Sequence, residues 1–447
     1  MTQQINLTDL DKIREHISKN VPTLYTGSKT SLVIPFEQLD LETKLDKTKI
    51  IANLSTIKPK IKFIGENKSI VEISGAVTWK DLKSFCLEHD RQVMTSPTEE
   101  LACVLSGIAT SATGERCFGL GALRDQIEEV HFLNYKGEKI ILKSEVLLKA
   151  LDLNLTDEQL FKYQEDYSFY KNYKNAPFPR FEKQTDLMTG TEGQLGVITS
   201  AKIKTFPNHN VTYLFLKLGK WEEDFRAHLE FFKKVQEFRG DILSCEFLDH
   251  NSLSYLKKEE RPVEENDLIF IEVISDKFEY IYENLISKLE LISENDFFEV
   301  SRKECQTLRV SVPRAIFEDN DRRGVIKKAS DVQMIGNDFE KLLVFYKELS
   351  NQNISYNLFG HFGDGHLHFN FMPTKKEVKK TNKLLDQLYE NVRDWKGSPF
   401  AEHGIGVVKK QYIQHFYSSV QIDAFKALKS KYDPNNIFFP EGFLNVI

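Results

Sequence analysis

The chain has 447 residues, and its 60 lysines and arginines against 66 aspartates and glutamates give a formal net charge of −6. Hydrophobic residues at 41% and charged residues at 28% are ordinary for a globular protein. The slight acidic excess argues against a dedicated nucleic-acid binder. The five cysteines form no CxxC pair, which excludes a zinc ribbon or a cysteine-held iron–sulfur cluster and suits a reducing compartment.

The length predicts two or three domains. No apolar run reaches the roughly 18 residues of a membrane-spanning helix, and the polar start lacks the apolar segment of a signal peptide. We therefore expect a cytoplasmic protein without a transmembrane segment.

Short strands separated by turn residues dominate residues 20–145. We predict strands at 61–64, 69–73, 130–134 and 139–142, with the last two forming a hairpin, and one amphipathic helix at 81–89. After Pro207 strands and helices alternate, with strands at 211–218, 242–248 and 268–275 and helices at 222–236 and 280–292. This alternation favours an α+β sandwich with a ferredoxin-like sheet. A helix at 422–431 and the apolar tail after it predict a segment that returns to another domain.

The stretch from Gly119 to Arg124 begins like a dinucleotide-binding fingerprint. Arg124 stands in place of the third glycine, and a hairpin strand is expected to follow where the fingerprint needs a helix. We therefore predict no Rossmann-type nucleotide site here.

Three other segments, residues 25–31, 106–114 and 190–198, combine glycine with serine or threonine. Exposed backbone N–H groups and hydroxyl donors are what a pyrophosphate requires when no helix dipole is available. Each segment alone is equally consistent with glycines that serve tight turns.

A histidine-rich stretch surrounds Asp364-Gly365, a pair that predicts a two-residue hairpin turn when alternating apolar residues flank it. That turn would pair His361 with His368 on one face, with Cβ atoms about 5 Å apart. We expect four phenylalanines to pack the back of this hairpin: Phe359, Phe362, Phe369 and Phe371. Two facing histidines and a carboxylate, for which Glu402 is the candidate, would suit zinc and also manganese or iron(II). The competing interpretation is a set of hydrogen-bonded core or surface histidines.

The order of these segments resembles a known family. SGIAT, GERCFGLGALRDQI, GTEGQLGVI, FGHFGDGHLHFNF, AEHGIGVVKKQYI and KYDPNNIFFPEGFL together resemble the vanillyl-alcohol oxidase / p-cresol methylhydroxylase superfamily of FAD-linked oxidases. Within it the chain is most similar to the D-2-hydroxyacid dehydrogenase branch, which includes D-lactate and D-2-hydroxyglutarate dehydrogenases and glycolate oxidase flavin subunits. The resemblance covers nearly the whole chain.

The resemblance implies an α+β fold: a p-cresol methylhydroxylase-type FAD-binding domain at 1–207, a ferredoxin-like cap domain at 208–415, and a C-terminal segment at 416–447 that returns to the FAD domain. It also implies FAD contacts at Gly27, Ser28, Lys29, Thr30, Ser31, Ser106, Gly107, Thr110, Gly114, Gly190, Glu192, Gly193, Gly196, Val197 and Ile198. Some relatives attach flavin to a histidine in the first segment. No histidine occurs between residues 21 and 36, so we expect non-covalent FAD.

The same resemblance implies a divalent metal, with zinc favoured, held by His361, His368 and Glu402. It implies that His403 is the general base, since its ordinary pKa of about 6.5 suits proton transfer near neutral pH. Arg309 resembles the substrate-binding arginine and Lys328 a substrate-binding lysine. Three positions depart from the family pattern and leave open whether the substrate changes or turnover is lost: Lys29, Pro313 and Phe439. His366 stands where relatives usually have Asn, a departure that bears on the surroundings of the metal and on which metal is preferred.

These features predict an enzyme that oxidises a D-2-hydroxy acid to a 2-oxo acid by hydride transfer to FAD. Two alternatives stay open: an alkyldihydroxyacetonephosphate synthase-like flavin transferase, and a flavin-binding protein without turnover. The electron acceptor is left open among a quinone, an electron-transfer flavoprotein and a partner subunit. A homodimer and peripheral attachment to the inner membrane are compatible with the sequence.

Overall fold

The computed structural model describes residues 2–31, 33–34, 36, 44–94, 97–413 and 415–445. The chain divides into two compact units. The first unit comprises Met1–Gly114, Ala122–Asn208 and Glu402–Ile447, and the second comprises Glu115–Gly121 and His209–Ala401. The second unit thus ends at Ala401 rather than at residue 415, and it also takes in a short segment from the N-terminal half.

The strands, in chain order, are β1 (Gln3–Asn6), β2 (Thr23–Thr26), β3 (Ile50–Asn53), β4 (Lys60–Ile64), β5 (Ile70–Ser74), β6 (Arg91–Gln92), β7 (Ile127–Leu133), β8 (Lys139–Lys143), β9 (Val197–Lys204), β10 (Phe206–Pro207), β11 (Val211–Leu218), β12 (Ile242–Leu248), β13 (Asp267–Ile274), β14 (Phe297–Val300), β15 (Lys328–Ala329), β16 (Tyr356–His361) and β17 (His366–Phe371).

The α-helices of the described residues are α1 (Leu10–Ser18), α2 (Trp79–Leu87), α3 (Val104–Ala109), α4 (Cys117–Leu120), α5 (Leu123–Gln126), α6 (Ala150–Leu153), α7 (Asp157–Ser168), α8 (Arg226–Val235), α9 (His250–Ser254), α10 (Phe278–Asn284), α11 (Arg302–Arg323), α12 (Phe339–Ser350), α13 (Val378–Asp394), α14 (Lys410–Ile413) and α15 (Ser419–Tyr432). None of them is long and apolar enough to cross a membrane.

Two principal sheets form the first unit. A five-stranded antiparallel sheet has the order β4-β5-β9-β7-β8, and a three-stranded parallel sheet has the order β1-β3-β2. The predicted hairpin is present as β7 and β8. The end of the chain belongs to this unit: Phe439 N–H donates to the Thr23 carbonyl at 3.0 Å, and the Phe438 ring packs 5.8 Å from that of Tyr25.

A seven-stranded antiparallel sheet organises the second unit, with the order β14-β11-β13-β12-β16-β17-β15. Its first four strands and helices α8 and α10 follow one another as β-α-β-β-α-β, the element order of a split β-α-β sandwich. Strands β11 and β12 begin and end where their sequence pattern predicts. Helix α8 begins at Arg226, four residues later than expected, because the backbone N–H of Trp221 is bound by Asp267 and that of Arg226 by Asp224.

Candidate functional site

A cleft in the first unit brings the three glycine-bearing segments together. Its lining includes residues from each of them: Thr26, Gly27, Ser106, Ala109, Gly193, Gly196, Val197 and Ile198. A Cβ added at Gly27 would lie 2.5 Å from Ser106 Oγ, and one at Gly196 would lie 2.5 Å from Cδ2 of Phe132. These two glycines therefore let the segments pack closely against their neighbours around the cleft, where any side chain would clash.

The second segment begins inside a helix, α3, and leaves it at Thr110. Ser106 and Gly107 lie in α3, because Thr110 closes that helix with its N–H on the Ser106 carbonyl and its Oγ1 donating to the same carbonyl. A Cβ at Gly107 would meet the Trp79 ring at 3.1 Å, so this glycine serves helix packing. Gly114 is buried and is the last residue of the Met1–Gly114 stretch of the first unit. It is not among the residues that line the cleft in the described part of the chain.

The first segment leaves β2 and turns at Lys29, whose φ is +59°. The Lys29 ammonium donates to Oε1 of Gln4 at 2.8 Å. Ser28 Oγ lies 3.1 Å from Cys103 Sγ, whereas Thr30 is exposed and Ser31 half-buried, its Oγ accepting from the Val33 N–H. The hydroxyl groups of this segment thus differ widely in exposure.

The Glu192 side chain, in the third glycine-bearing segment, binds the backbone at residues 405–406 of the same unit. Its carboxylate accepts from the N–H groups of Ile405 at 2.6 Å and Gly406 at 3.1 Å. Burial raises the pKa of Glu192, and these two hydrogen bonds oppose that shift. Gly190 and Glu192 in turn donate their N–H groups to carbonyls of α3, so the third segment is tied to the second. The Glu192 side chain therefore fixes the backbone two and three residues after His403.

The histidine hairpin is present in the second unit, but its predicted register is wrong. His361 pairs with His366, not His368, because residues 362–365 form a longer turn in place of the two-residue turn. The physical reason is Phe362, which is buried among Phe231, Phe232, Phe247 and Phe339 and cannot lie in a regular strand. His361, His366 and His368 share one face of the hairpin, and Leu367, Phe369 and Phe371 are buried on the other. Phe359, expected on the apolar side, shares the histidine face as the cross-strand partner of His368.

Each of these three imidazoles has one ring nitrogen held by an acceptor of the same unit. His361 Nδ1 lies 2.9 Å from a Glu246 carboxylate oxygen, and His366 Nε2 lies 3.0 Å from Asp331 Oδ1. His368 Nδ1 donates to the Ser330 carbonyl at 3.0 Å. Metal-binding histidines commonly have their second nitrogen fixed in this way, which sets the tautomer and the ring orientation. This cluster fits a divalent metal on the chemistry of its donors.

Arg309, expected to bind the substrate carboxylate, lies in α11 among three carboxylates. Its guanidinium is 2.6 Å from Glu115, 3.2 Å from Glu272 and 3.8 Å from Glu246. Burial by itself would lower the pKa of Arg309, but the three carboxylates raise it. Pro313 lies one turn further along the same helix. The Arg309 guanidinium is therefore committed to an ion-pair network that reaches His361 through Glu246.

Lys328 lies on the wrong side of the sheet for the role expected of it. In the ladder between β15 and β17 it pairs with Phe371, whose side chain is on the face opposite the histidines. The preceding residue, Lys327, is on the histidine side, with its Nζ 6.0 Å above the Phe359 ring. Lys327 keeps solvent access, yet desolvation by the protein around it lowers the pKa of its ammonium. Side alternation places Lys327, not Lys328, beside the cluster.

Glu402 and His403 open the last segment of the first unit. They follow Ala401, whose N–H donates to the Asp331 carbonyl at 3.0 Å within the second unit. This hydrogen bond fixes Ala401, the residue before Glu402, next to Asp331, whose carboxylate contacts His366. Phe439, noted for its departure from the family pattern, is buried in the first unit with Leu24, Leu45 and Ile51 and serves its core.

Glu246, Asp331 and Lys327 were missed in the sequence. The two carboxylates are 115 and 35 residues from the histidines they contact, and no local pattern distinguishes them from other acidic residues. The signal for Lys327 was available in part, since it neighbours Lys328 and alternation puts one of the two on each face of a strand.

Residues 222–441 match the family model of the C-terminal domain of FAD linked oxidases. A protein of Schizosaccharomyces pombe named as a mitochondrial D-lactate dehydrogenase is 26% identical over 426 residues, covering 88% of this chain and 73% of the relative. The D-lactate dehydrogenase of Anaerostipes hadrus is 24% identical and covers 85% of this chain and 77% of its own length. For the glycolate oxidase subunit GlcD of Bacillus subtilis the figures are 26%, 57% and 56%.

Among solved structures, an alkyldihydroxyacetonephosphate synthase superposes on 97% of this chain and 76% of its own, with a TM-score of 0.67. At 13% sequence identity, that similarity concerns the fold alone. The relatives found by sequence are enzymes, as the sequence motifs predict. The matched domain shows that residues 222–441 of this chain are a C-terminal domain of the FAD linked oxidase family, and the D-lactate dehydrogenases of the comparison are similar to the chain over most of its length.

Proposed function

We propose that the chain is an FAD-dependent, metal-assisted oxidoreductase that converts a D-2-hydroxy acid to the 2-oxo acid. The observation that carries this proposal is the three-histidine face of β16 and β17, with an acceptor behind each imidazole, in a chain whose relatives include D-lactate dehydrogenases. FAD supplies the oxidant for a two-electron oxidation. The cleft lined by the three glycine-bearing segments of the first unit supports binding of that cofactor, and the lack of a histidine between residues 21 and 36 supports a non-covalent attachment.

His361, His368 and Glu402 would hold the metal, which would supply Lewis-acid polarisation of the substrate hydroxyl. His403 would take the hydroxyl proton on an imidazole nitrogen. Glu402 and His403 enter the proposal through the sequence resemblance and through their position directly after the anchored Ala401. The half-buried acceptor Glu192 supports them by fixing the backbone of Ile405 and Gly406.

We assign different tasks to the two basic residues of the original prediction. Arg309 neutralises Glu115, Glu246 and Glu272 and so positions the Glu246 carboxylate behind His361. Lys327 takes over the anion-binding task of Lys328, because it is the lysine on the histidine side of β15. The Lys327 ammonium would act as a point charge that forms an ion pair with the carboxylate of a 2-hydroxy acid.

The finer fold assignment, a p-cresol methylhydroxylase-type FAD domain with a ferredoxin-like cap, is part of the same proposal. Its support is the β-α-β-β-α-β order of the second unit and the glycine-lined cleft of the first.

The direct test is anaerobic reduction of the purified yellow protein by a panel of D- and L-2-hydroxy acids, with metal content measured in parallel. We expect at least one D-acid to bleach the flavin absorbance and its L-enantiomer to fail. His361→Ala should lose metal and bleaching while it retains flavin, whereas His209→Ala, at an exposed histidine, should retain all three. A flavin that no hydroxy acid reduces, in a protein without bound metal, would contradict the proposal.

A further inference from the structure

The third histidine of the hairpin, His366, lies as close to the other two as they lie to each other. The ring centroids of His361 and His366 are 5.5 Å apart, those of His366 and His368 4.5 Å, and those of His361 and His368 6.4 Å. We propose that His366 is a ligand of the metal, so that three imidazoles form the centre. This inference rests on the proposed function, which requires a metal bound to His361 and His368.

The three side chains can reach one ion. A ring nitrogen of each lies within 4.8 Å of a ring nitrogen of the other two. Zinc–imidazole bonds are about 2.0–2.1 Å long, so nitrogens at that separation converge on one metal after small side-chain adjustments. The new register creates this arrangement, because it places His366 directly opposite His361 and leaves His368 two residues further along the same face.

The orientation of His366 is fixed by a buried carboxylate. Asp331 holds Nε2 of His366 at 3.0 Å, and neither side chain has solvent exposure. A metal would therefore bind through Nδ1, the nitrogen on the other side of the ring. Asp331 is itself held in place, since its neighbour Ser330 donates N–H to the Phe369 carbonyl and its own carbonyl accepts from Ala401. A carboxylate behind a histidine is the usual outer support of a metal ligand.

The local backbone is built for this close packing. Gly360 has a φ of +145°, and a Cβ there would lie 2.7 Å from the His366 carbonyl and 3.3 Å from the His368 ring. Gly365, at φ +66°, leaves room for the Met334 carbonyl, which a Cβ would approach to 2.0 Å. The Met334 N–H donates to the Gly365 carbonyl, which ties the Asp331 segment to the turn that carries His366.

The third imidazole has a consequence for the choice of metal. Imidazole nitrogen favours zinc, cobalt and nickel, whereas centres with more oxygen ligands accommodate manganese. A centre with three imidazoles should therefore bind Zn²⁺ and Co²⁺ in clear preference to Mn²⁺. Replacement of His366 should therefore reduce the difference between the Zn²⁺ and Mn²⁺ affinities.

The test compares wild type, His366→Asn and a control, His250→Asn, after removal of metal with a chelator. Zn²⁺ and Mn²⁺ affinities are measured by competition, and Co²⁺ binding by visible absorption. We expect His366→Asn to bind Zn²⁺ roughly 100-fold more weakly than wild type. Loss of a residue that only supports a metal ligand typically weakens binding by about 10–100-fold, so this value is the upper end of that range. Its Mn²⁺ affinity should fall less, and its Co²⁺ spectrum should change shape. His250→Asn, at a histidine held by Asp267, should match wild type.

Unchanged Zn²⁺ affinity and an unchanged Co²⁺ spectrum in a folded, flavin-containing His366→Asn protein would overturn the inference while leaving the proposed function intact. Wild type that takes up neither ion would overturn both. A measurement on the unaltered chain avoids any folding defect of the variant: Cu²⁺ bound to the wild-type protein should show electron spin-echo modulation from three imidazoles. Modulation from two would refute the assignment.

Discussion

Glu246 lies 2.9 Å from Nδ1 of His361, although the two residues belong to different strands and are 115 positions apart. The same carboxylate accepts a hydrogen bond from Ser244 and lies 3.8 Å from the Arg309 guanidinium. Glu246 thus connects the buried ion-pair network of α11 to the histidine face of the hairpin. A negative charge at this position increases the basicity of the imidazole and fixes which nitrogen faces a metal.

Replacement of that charge should weaken metal binding without removing a ligand. We expect Glu246→Gln, which preserves the shape and one acceptor oxygen, to lower metal affinity by roughly 10–100-fold. Chelator competition on the purified protein measures this change. The matched control is Glu299→Gln at an exposed glutamate of β14 in the same unit. Equal metal affinity in both variants would mean that Glu246 does not support the metal ligand.

Gly196 tests the cofactor cleft of the first unit. Its φ is +155°, and a Cβ there would lie 2.5 Å from the Phe132 ring and 2.6 Å from the Leu133 carbonyl. Because the Leu133 backbone can move only at a high cost in free energy, we expect Gly196→Ala to distort the third glycine-bearing segment. The flavin content should then fall several-fold. The absorbance ratio of flavin to protein after purification measures this loss. Gly219→Ala, where a Cβ would meet nothing within 4 Å, should retain its flavin.

Local patterns accounted for much of the fold. Strands β11 and β12 were predicted at their observed ends because strong apolar runs are bounded there by turn residues. The helix expected at 280–292 instead ends at Asn284, since Leu285, with φ −115°, departs from regular helical geometry and a short 3₁₀ turn follows. Helix α3 was not predicted because a helix of six residues has almost no periodicity to detect.

The candidate site was predictable where it depends on adjacent residues and not where it depends on distant ones. The Asp364-Gly365 pair correctly indicated a hairpin, but its register was decided by burial of Phe362 in an aromatic cluster from other elements. The choice between Lys327 and Lys328 required the register of β15 against β17. The carboxylates behind His361 and His366 come from other strands and loops, so only the folded structure identifies them.

Lys327 and Lys328 are a matched pair of adjacent lysines, the second in β15 and the first directly before it, and their side chains lie on opposite sides of the sheet. If Lys327 binds the substrate carboxylate, Lys327→Ala should raise KM by roughly 10–100-fold, the effect of losing a charge-assisted hydrogen bond worth about 1.5–3 kcal/mol. Lys328→Ala should leave KM near the wild-type value, because its side chain is on the Phe371 face. Steady-state kinetics with the acid that best bleaches the flavin measure both. The reverse pattern would restore Lys328 to the role first expected of it.

A buried acidic pair in the second unit, distant in sequence from the histidine hairpin, should make stability depend on pH. Asp267 is ionised: its carboxylate accepts from the Trp221 N–H at 2.7 Å and lies 3.1 Å from His228 Nε2, and His250 adds a third contact. Asp249 is fully buried close by at the start of α9. Burial and the nearby negative charge of Asp267 raise the pKa of Asp249 to about 7.

The sign of the effect follows from this raised pKa. Between about pH 4 and 7 the folded chain keeps a proton on Asp249 that the unfolded chain releases, so the contribution of Asp249 to folding is largest at low pH and is lost as pH rises through about 7. Each unit of pKa difference corresponds to about 1.4 kcal/mol. Asp249→Asn keeps the neutral form and the acceptor for Ser252, so its free energy of unfolding should fall less than that of wild type between pH 5 and 8. Denaturant unfolding at several pH values measures this, with Asp276→Asn at an exposed aspartate as control. Parallel pH profiles of Asp249→Asn and wild type would show that Asp249 does not hold the proton.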